Sequence, residues 1–117
     1  GSYPYKKMGD AGITLAFSSD YASNTEALSW PTEIMRVALN GDGNLYNQPL
    51  TMRDMIEGFT VGGYATTREA NVGRLHIGYK ADSVVYEKDL YSVPPGELSK
   101  DNPRVLSTWI GGRRVTP

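Results

Sequence analysis

The residue best placed to do chemistry is Asp20. It closes a run in which Ile13, Leu15 and Phe17 alternate with Thr14, Ala16 and Ser18, large side chains on one face and small ones on the other. That is the period of a strand covered on both faces, as in a parallel sheet. A carboxylate at the C-terminal end of such a strand, just before a loop, sits where barrel enzymes put their catalytic groups. The same position also suits an Asp that caps the next turn. Other reactive types offer less. His76 stands between Leu75 and Ile77 with no acidic or second imidazole neighbour, so it reads as a loop or strand histidine rather than a ligand. Ser18 and Ser19 lack the Gly-x-Ser-x-Gly setting of a nucleophile, and no histidine is spaced for a triad. Gly41-Asp42-Gly43-Asn44 lacks both the twelfth-position glutamate of a calcium loop and the Gly-Lys-Ser/Thr of a phosphate loop, which leaves a turn. Arg104, Arg113 and Arg114 read as the solvated side of a hairpin.

Composition narrows the chemistry further. The chain has 117 residues, 12 Lys+Arg against 13 Asp+Glu, one His and no Cys. No cysteine excludes a disulfide framework, thiolate metal sites and a thiol nucleophile; one histidine excludes any cage that needs two. The near-neutral charge lacks the basic footprint of a nucleic-acid binder, and the eight tyrosines are too scattered to make a stacking platform for bases. Apolar runs are far shorter than the roughly twenty residues that span a bilayer. With no signal peptide visible, a cytoplasmic location is the expectation. At 39% hydrophobic and 21% charged residues, a folded domain is expected rather than disorder.

The elements that would position Asp20 are legible from local signals. Tyr3–Gly12 predicts a short lysine-rich helical turn, with Gly12 where a left-handed C-cap belongs. Pro31 suits a first helical position, and Ile34, Met35, Ala38 and Leu39 make one apolar face that stops at Asn40-Gly41. After a Gly/Asn-rich loop over 40–49, Thr51 with Asp54 forms an acidic capping box. Met52, Met55, Ile56 and Phe59 follow at helical spacing. Gly62-Gly63 marks either close packing or a frayed end. Beyond Gly73 the period becomes two. Residues 81–87 predict a strand, and Val105–Ile110 with Arg113–Val115 a hairpin about a primed Gly111-Gly112 turn. Residues 91–103, with three of the seven prolines, predict a long irregular connection. A lone parallel-type strand, two helices and then antiparallel strands make an odd order for a self-contained domain.

Three stretches together resemble the metal-dependent amidohydrolase superfamily, in its amidohydrolase type 3, exoenzyme-like branch. YPYKKMGDAGITLAFSSDY is similar to the motif around the eighth barrel strand, where Ala-Gly-Val and a terminal Gly-Ser-Asp are typical. LTMRDMIEGFTVGGYATTRE is similar to a late helix of that family. GRLHIGYKADSVVYEKDLYSVPPGEL with VLSTWIGGRRV is similar to its C-terminal β segment. The resemblance covers nearly the whole chain in the right order.

It implies an α/β fold, mixed α+β in the isolated chain. Residues 3–70 would be the last strand-helix unit of a TIM barrel with the following helix, and 71–117 strands of a small β-sandwich. Gly1-Ser2 has the composition of a tag remnant and is too short to prove one. The implied activity is hydrolysis of a non-peptide C–N bond. Asp20 matches the family aspartate that binds the divalent metal, zinc by expectation, or lies beside it and takes the proton of the attacking water. Gly73, Gly78, Ala81 and Asp82 match structural positions, and His76 inherits no role. The family's His-x-His pair, bridging carboxylated lysine and two later histidines would all lie upstream. The isolated chain is therefore expected to bind no metal tightly and to be silent. Its expected partners are the missing N-terminal barrel portion or a second copy, with segment exchange; the competing reading is a non-enzymatic self-associating module. Ser18, Gly9 and Ser83 depart from the family pattern, Ser83 in a strand presumed buried.

Overall fold

A computed structural model describes residues 4–19, 30–40 and 48–116. Local signals account for most of its elements. Helix α1 (Tyr5–Asp10) is a turn and a half bracketed by the Lys6–Asp10 ion pair. Gly12 follows at φ +85°, where a residue with a Cβ would be strained. Helix α2 (Pro31–Asn40) begins on its proline, whose missing N–H costs nothing in a first turn. Helix α3 (Met52–Phe59) starts on the expected capping box. The Asp54 N–H donates to Thr51 Oγ1 at 3.1 Å, and the Thr51 N–H donates to Asp54 Oδ2 at 2.9 Å. Both bonds satisfy amides that the first helical turn leaves open. Helix α4 (Val61–Ala65) continues from α3 across Thr60, whose backbone breaks the helical path at φ −113°, ψ −95°.

The sheet is antiparallel, ordered β1 (Ser83–Tyr86), β2 (Val105–Ile110), β3 (Arg113–Thr116). Ser83 pairs with Trp109 and Val84 with Thr108; Ile110 pairs with Arg113 across the turn. Gly111 and Gly112 stand at φ +59° and +79°, the two left-handed residues that a primed hairpin turn needs. The molecule is thus mixed α/β, with helices in the first part and the sheet in the second.

Two expectations change, and the irregular connection takes on an added role. The strand over Ile13–Ser18 does not form a ladder: residues 13–19 belong to no strand, and the sheet lies wholly within 83–116. A strand needs a lateral hydrogen-bonding neighbour, and no described strand runs beside this segment. Its small-residue face is exposed instead of covered, and Ile13 is 51% exposed. The strand holding Ser83 is not buried either, since Val84 and Val85 are about half exposed. Finally, the connection over 91–103 is structural. Two 3₁₀ turns, Leu90–Ser92 and Pro95–Glu97, bring Val93 and Leu98 into the core. That core joins Met35 of α2, Leu50, and Met55 of α3 to Val93 and Leu98, with Leu15, Phe17, Ile34, Ala38 and Leu39 packed around them. Thr32 Oγ1 donates to the Ser99 carbonyl at 2.6 Å and ties α2 to this connection.

Candidate functional site

The polypeptide leading to Asp20 is held on α3 and α4. Leu15 and Phe17 turn toward the helices. The Phe17 N–H donates to the Gly58 carbonyl at 3.1 Å, and the Ile13 N–H to the Met8 carbonyl at 3.0 Å. The Phe17 ring packs against Phe59 at 5.8 Å between centroids and meets Tyr5 edge-on at 6.3 Å. Gly9, where an apolar side chain is expected from the family pattern, leaves room for Leu15: a Cβ there would lie 3.3 Å from Leu15 Cδ1. Thr14, Ala16, Ser18 and Ser19 are exposed on the other side. Asp20 itself lies outside the described residues, as do Gly41-Asp42-Gly43-Asn44.

A cleft of about 430 Å³ runs between residues 12–15 and the α3–α4 surface. Asp54 and Glu57 are its carboxylates, and both are committed. Asp54 accepts the Thr51 amide, which holds its carboxyl below the usual range, and Glu57 pairs with Arg53 at 3.0 Å. Carboxylates engaged in a cap and a surface ion pair are not an acid–base couple, so the cleft is a packing feature. A second cleft of about 420 Å³ is lined by Ile56 and residues 84–91. Its Glu87 binds the Arg104 amide at 3.0 Å, and its Asp89 caps the 3₁₀ turn through the Tyr91 amide at 2.9 Å.

Asp82 is a carboxylate that bridges separate elements. Its Oδ1 accepts the Gly111 amide at 2.7 Å and its Oδ2 the Tyr64 hydroxyl at 3.0 Å. One side chain thus joins α4, the start of β1 and the hairpin turn. The Gly111 amide, then the Tyr64 hydroxyl, hold the Asp82 carboxyl below its ordinary range. The Tyr64 phenol is raised, chiefly by donating to that carboxylate. Lys80 pairs with Glu69 at 3.1 Å on the same side. The sequence resemblance marks Asp82 as structural, and the geometry supplies the reason; its partners are 18 and 29 residues away, which no local spacing reveals.

His76 lies exposed on the 71–80 loop, edge-on to Tyr79 at 5.3 Å. Arg104 pairs with Glu87, and Arg114 Nε donates to the Thr116 carbonyl at 3.0 Å; both lie on the solvated side of the sheet. Among the described residues no three His, Asp or Glu side chains converge in a way that would hold a metal ion. The described donor set therefore does not fit a hydrolytic metal centre by itself.

The amino-acid sequence matches a known family. A model of the amidohydrolase family covers residues 1–116. The chain belongs to the amidohydrolase family. An N-substituted formamide deformylase from Arthrobacter pascens is 25% identical over 114 residues, which is 94% of this amidohydrolase chain and 20% of the deformylase. The chain thus spans about a fifth of the length of the curated relative it matches. No solved structure matches it. Among the described residues, no helix is long and apolar enough to cross a membrane.

Proposed function

We propose that this chain is the C-terminal region of a metal-dependent amidohydrolase that hydrolyses a non-peptide, amide-type C–N bond, with Asp20 as the proton-transferring carboxylate. The observation that carries the reading is the family match over 1–116 in a chain one-fifth the length of its deformylase relative. In the reaction, water oxygen bonds to the carbonyl carbon while its proton passes to Asp20. Collapse then breaks the C–N bond as that proton moves to the leaving nitrogen. The divalent ion used by such enzymes, zinc in this reading, belongs with ligands elsewhere in the complete polypeptide, because one histidine and no cysteine do not make a site. Residues 3–70 are assigned to the barrel and 71–117 to the small β domain. In support, among the described residues the α-helices lie within 5–65 and the strands within 83–116. The cytoplasm is the proposed location.

In the complete polypeptide, Asp20→Asn should lower kcat by roughly a hundredfold or more. Turnover equal to the parent would remove Asp20 from the mechanism. The 117-residue chain alone should show no amidase turnover.

The chain's surface favours a second reading for the isolated product, as a self-associating module or a piece that docks on the remaining barrel. It exposes Val84 and Val85 of β1, Leu106 and Ile110 of β2 and Val115 of β3. The outer strands β1 and β3 each offer an edge for pairing. Sedimentation should find a dimer or larger species at micromolar concentration; a monomer with a cooperative thermal transition would count against association.

A further inference from the structure

We propose that Gly58 and Gly62 form a seat that sets the depth and register of residues 13–19 and so presents Asp20; they are positioning residues. This rests on the assignment of Asp20 above. Both glycines lie inside helices, where alanine is favoured over glycine by about 1 kcal/mol, and neither has a positive φ. Something other than backbone conformation must require them.

The neighbouring segment supplies the requirement. A Cβ at Gly58 would overlap the edge of the Phe17 ring and lie 3.3 Å from Phe17 Cγ. A Cβ at Gly62 would overlap the Leu15 carbonyl oxygen and lie 3.1 Å from the Leu15 carbonyl carbon and 3.2 Å from the Glu57 oxygen. The contacts are of different kinds. At Gly58 the obstacle is a side chain that can be exchanged, whereas at Gly62 it is backbone that cannot yield without moving the segment.

Between them runs the Phe17 N–H to Gly58 carbonyl bond of 3.1 Å. It fills an acceptor that the last turn of α3 leaves open. The two contacts fall two residues apart, Gly62 on the Leu15 backbone and Gly58 on the Phe17 ring, and the Leu15 and Phe17 side chains both turn toward the core. A one-residue slip would turn Ala16 toward the helices and carry everything after it to the opposite face. In the amino-acid order Asp20 follows three residues beyond the second anchor. Gly63 is the contrast, because a Cβ there would meet only the Gly58 carbonyl oxygen, at an ordinary 3.5 Å.

The first test uses amide resonances and hydrogen exchange on the 117-residue chain. Gly62→Ala should move the amides of residues 15–20 and speed exchange at Phe17 roughly tenfold or more, while Thr108 and Trp109 in the hairpin stay in place. Gly58→Ala should do the same, and adding Phe17→Leu should restore the parent pattern. Gly63→Ala should leave all of these unchanged. The proposal is overturned if Gly62→Ala leaves residues 15–20 as in the parent, or if Gly63→Ala disturbs them equally. If Gly62→Ala does not fold, the Gly58→Ala pair decides, and failure of Phe17→Leu to rescue it overturns the seat.

The second test separates positioning from bulk stability. In the complete polypeptide, Gly62→Ala should lower kcat by about a hundredfold, the penalty of a misplaced catalytic group, with KM little changed. An unchanged kcat beside an Asp20→Asn variant that has lost turnover overturns the seat and spares the Asp20 assignment. Parent-like turnover in Asp20→Asn overturns that assignment, while the amide and exchange results stand independently of it.

Discussion

Asp82 shows how much one side chain contributes when its two oxygens reach different elements. Because its carboxyl is depressed by the Gly111 amide and the Tyr64 hydroxyl, the linkage sign follows. Its stabilising contribution is complete above the unfolded aspartate pKa of about 3.9, and it is lost as pH falls through the lower folded value. Asp54, depressed by the Thr51 amide, acts in the same direction. Thermal midpoints followed from neutral pH into acid should therefore fall, and Asp82→Asn should make that fall shallower without abolishing it; an identical acid limb in the variant would contradict this account. In the core, Met55 is fully buried at 0% exposure. Met55→Ala should cost about 2–5 kcal/mol in denaturant unfolding. The two roles are not equally visible in the amino-acid order. Met55 sits on a helical apolar stripe that periodicity exposes, whereas the partners of Asp82 come from the fold.

At the scale of elements, termini and turns were the most legible features. The Thr51/Asp54 box is a local pattern whose four residues supply their own hydrogen bonds, so it forms as read. Thr51→Ala should lower stability by about 1 kcal/mol, seen as a lower urea midpoint with an unchanged m-value. The hairpin turn is equally local. Gly111 stands at φ +59° with nothing within 4 Å of a new Cβ, and asparagine tolerates that backbone while restricting the unfolded chain. Gly111→Asn should therefore raise stability, by about 0.5 kcal/mol; a lower thermal midpoint would show that the turn needs glycine itself. Residues 13–18 illustrate the opposite case. Their alternation reads as a strand covered on both faces, whereas only Leu15 and Phe17 pack on the core and Ile13 is exposed, because pairing depends on a neighbour that no local period specifies. The 91–103 connection reads as irregular because its prolines break periodicity, yet it covers the helices through Val93 and Leu98.

At the scale of the molecule, the exposed apolar side chains of the sheet and a sparse ligand inventory both bear on what the chain does alone. With one histidine and no cysteine, zinc titrated calorimetrically into the isolated chain should show no tight stoichiometric site, and chelator should leave its thermal midpoint unchanged. Tight one-to-one binding would overturn the assignment of the metal ligands to the rest of the polypeptide. The amino-acid order by itself determined the family resemblance, α2, the α3 cap, the hairpin and the apolar faces, because caps, turns and periodicities act between residues a few positions apart. Tertiary structure alone decided the rest: that residues 13–19 lie on α3 and α4 without a ladder, that Asp82 joins α4 to the hairpin, and that Thr32 reaches Ser99 across 67 positions. Those contacts depend on which surfaces meet after the chain has closed on itself, and packing, not spacing, selects them.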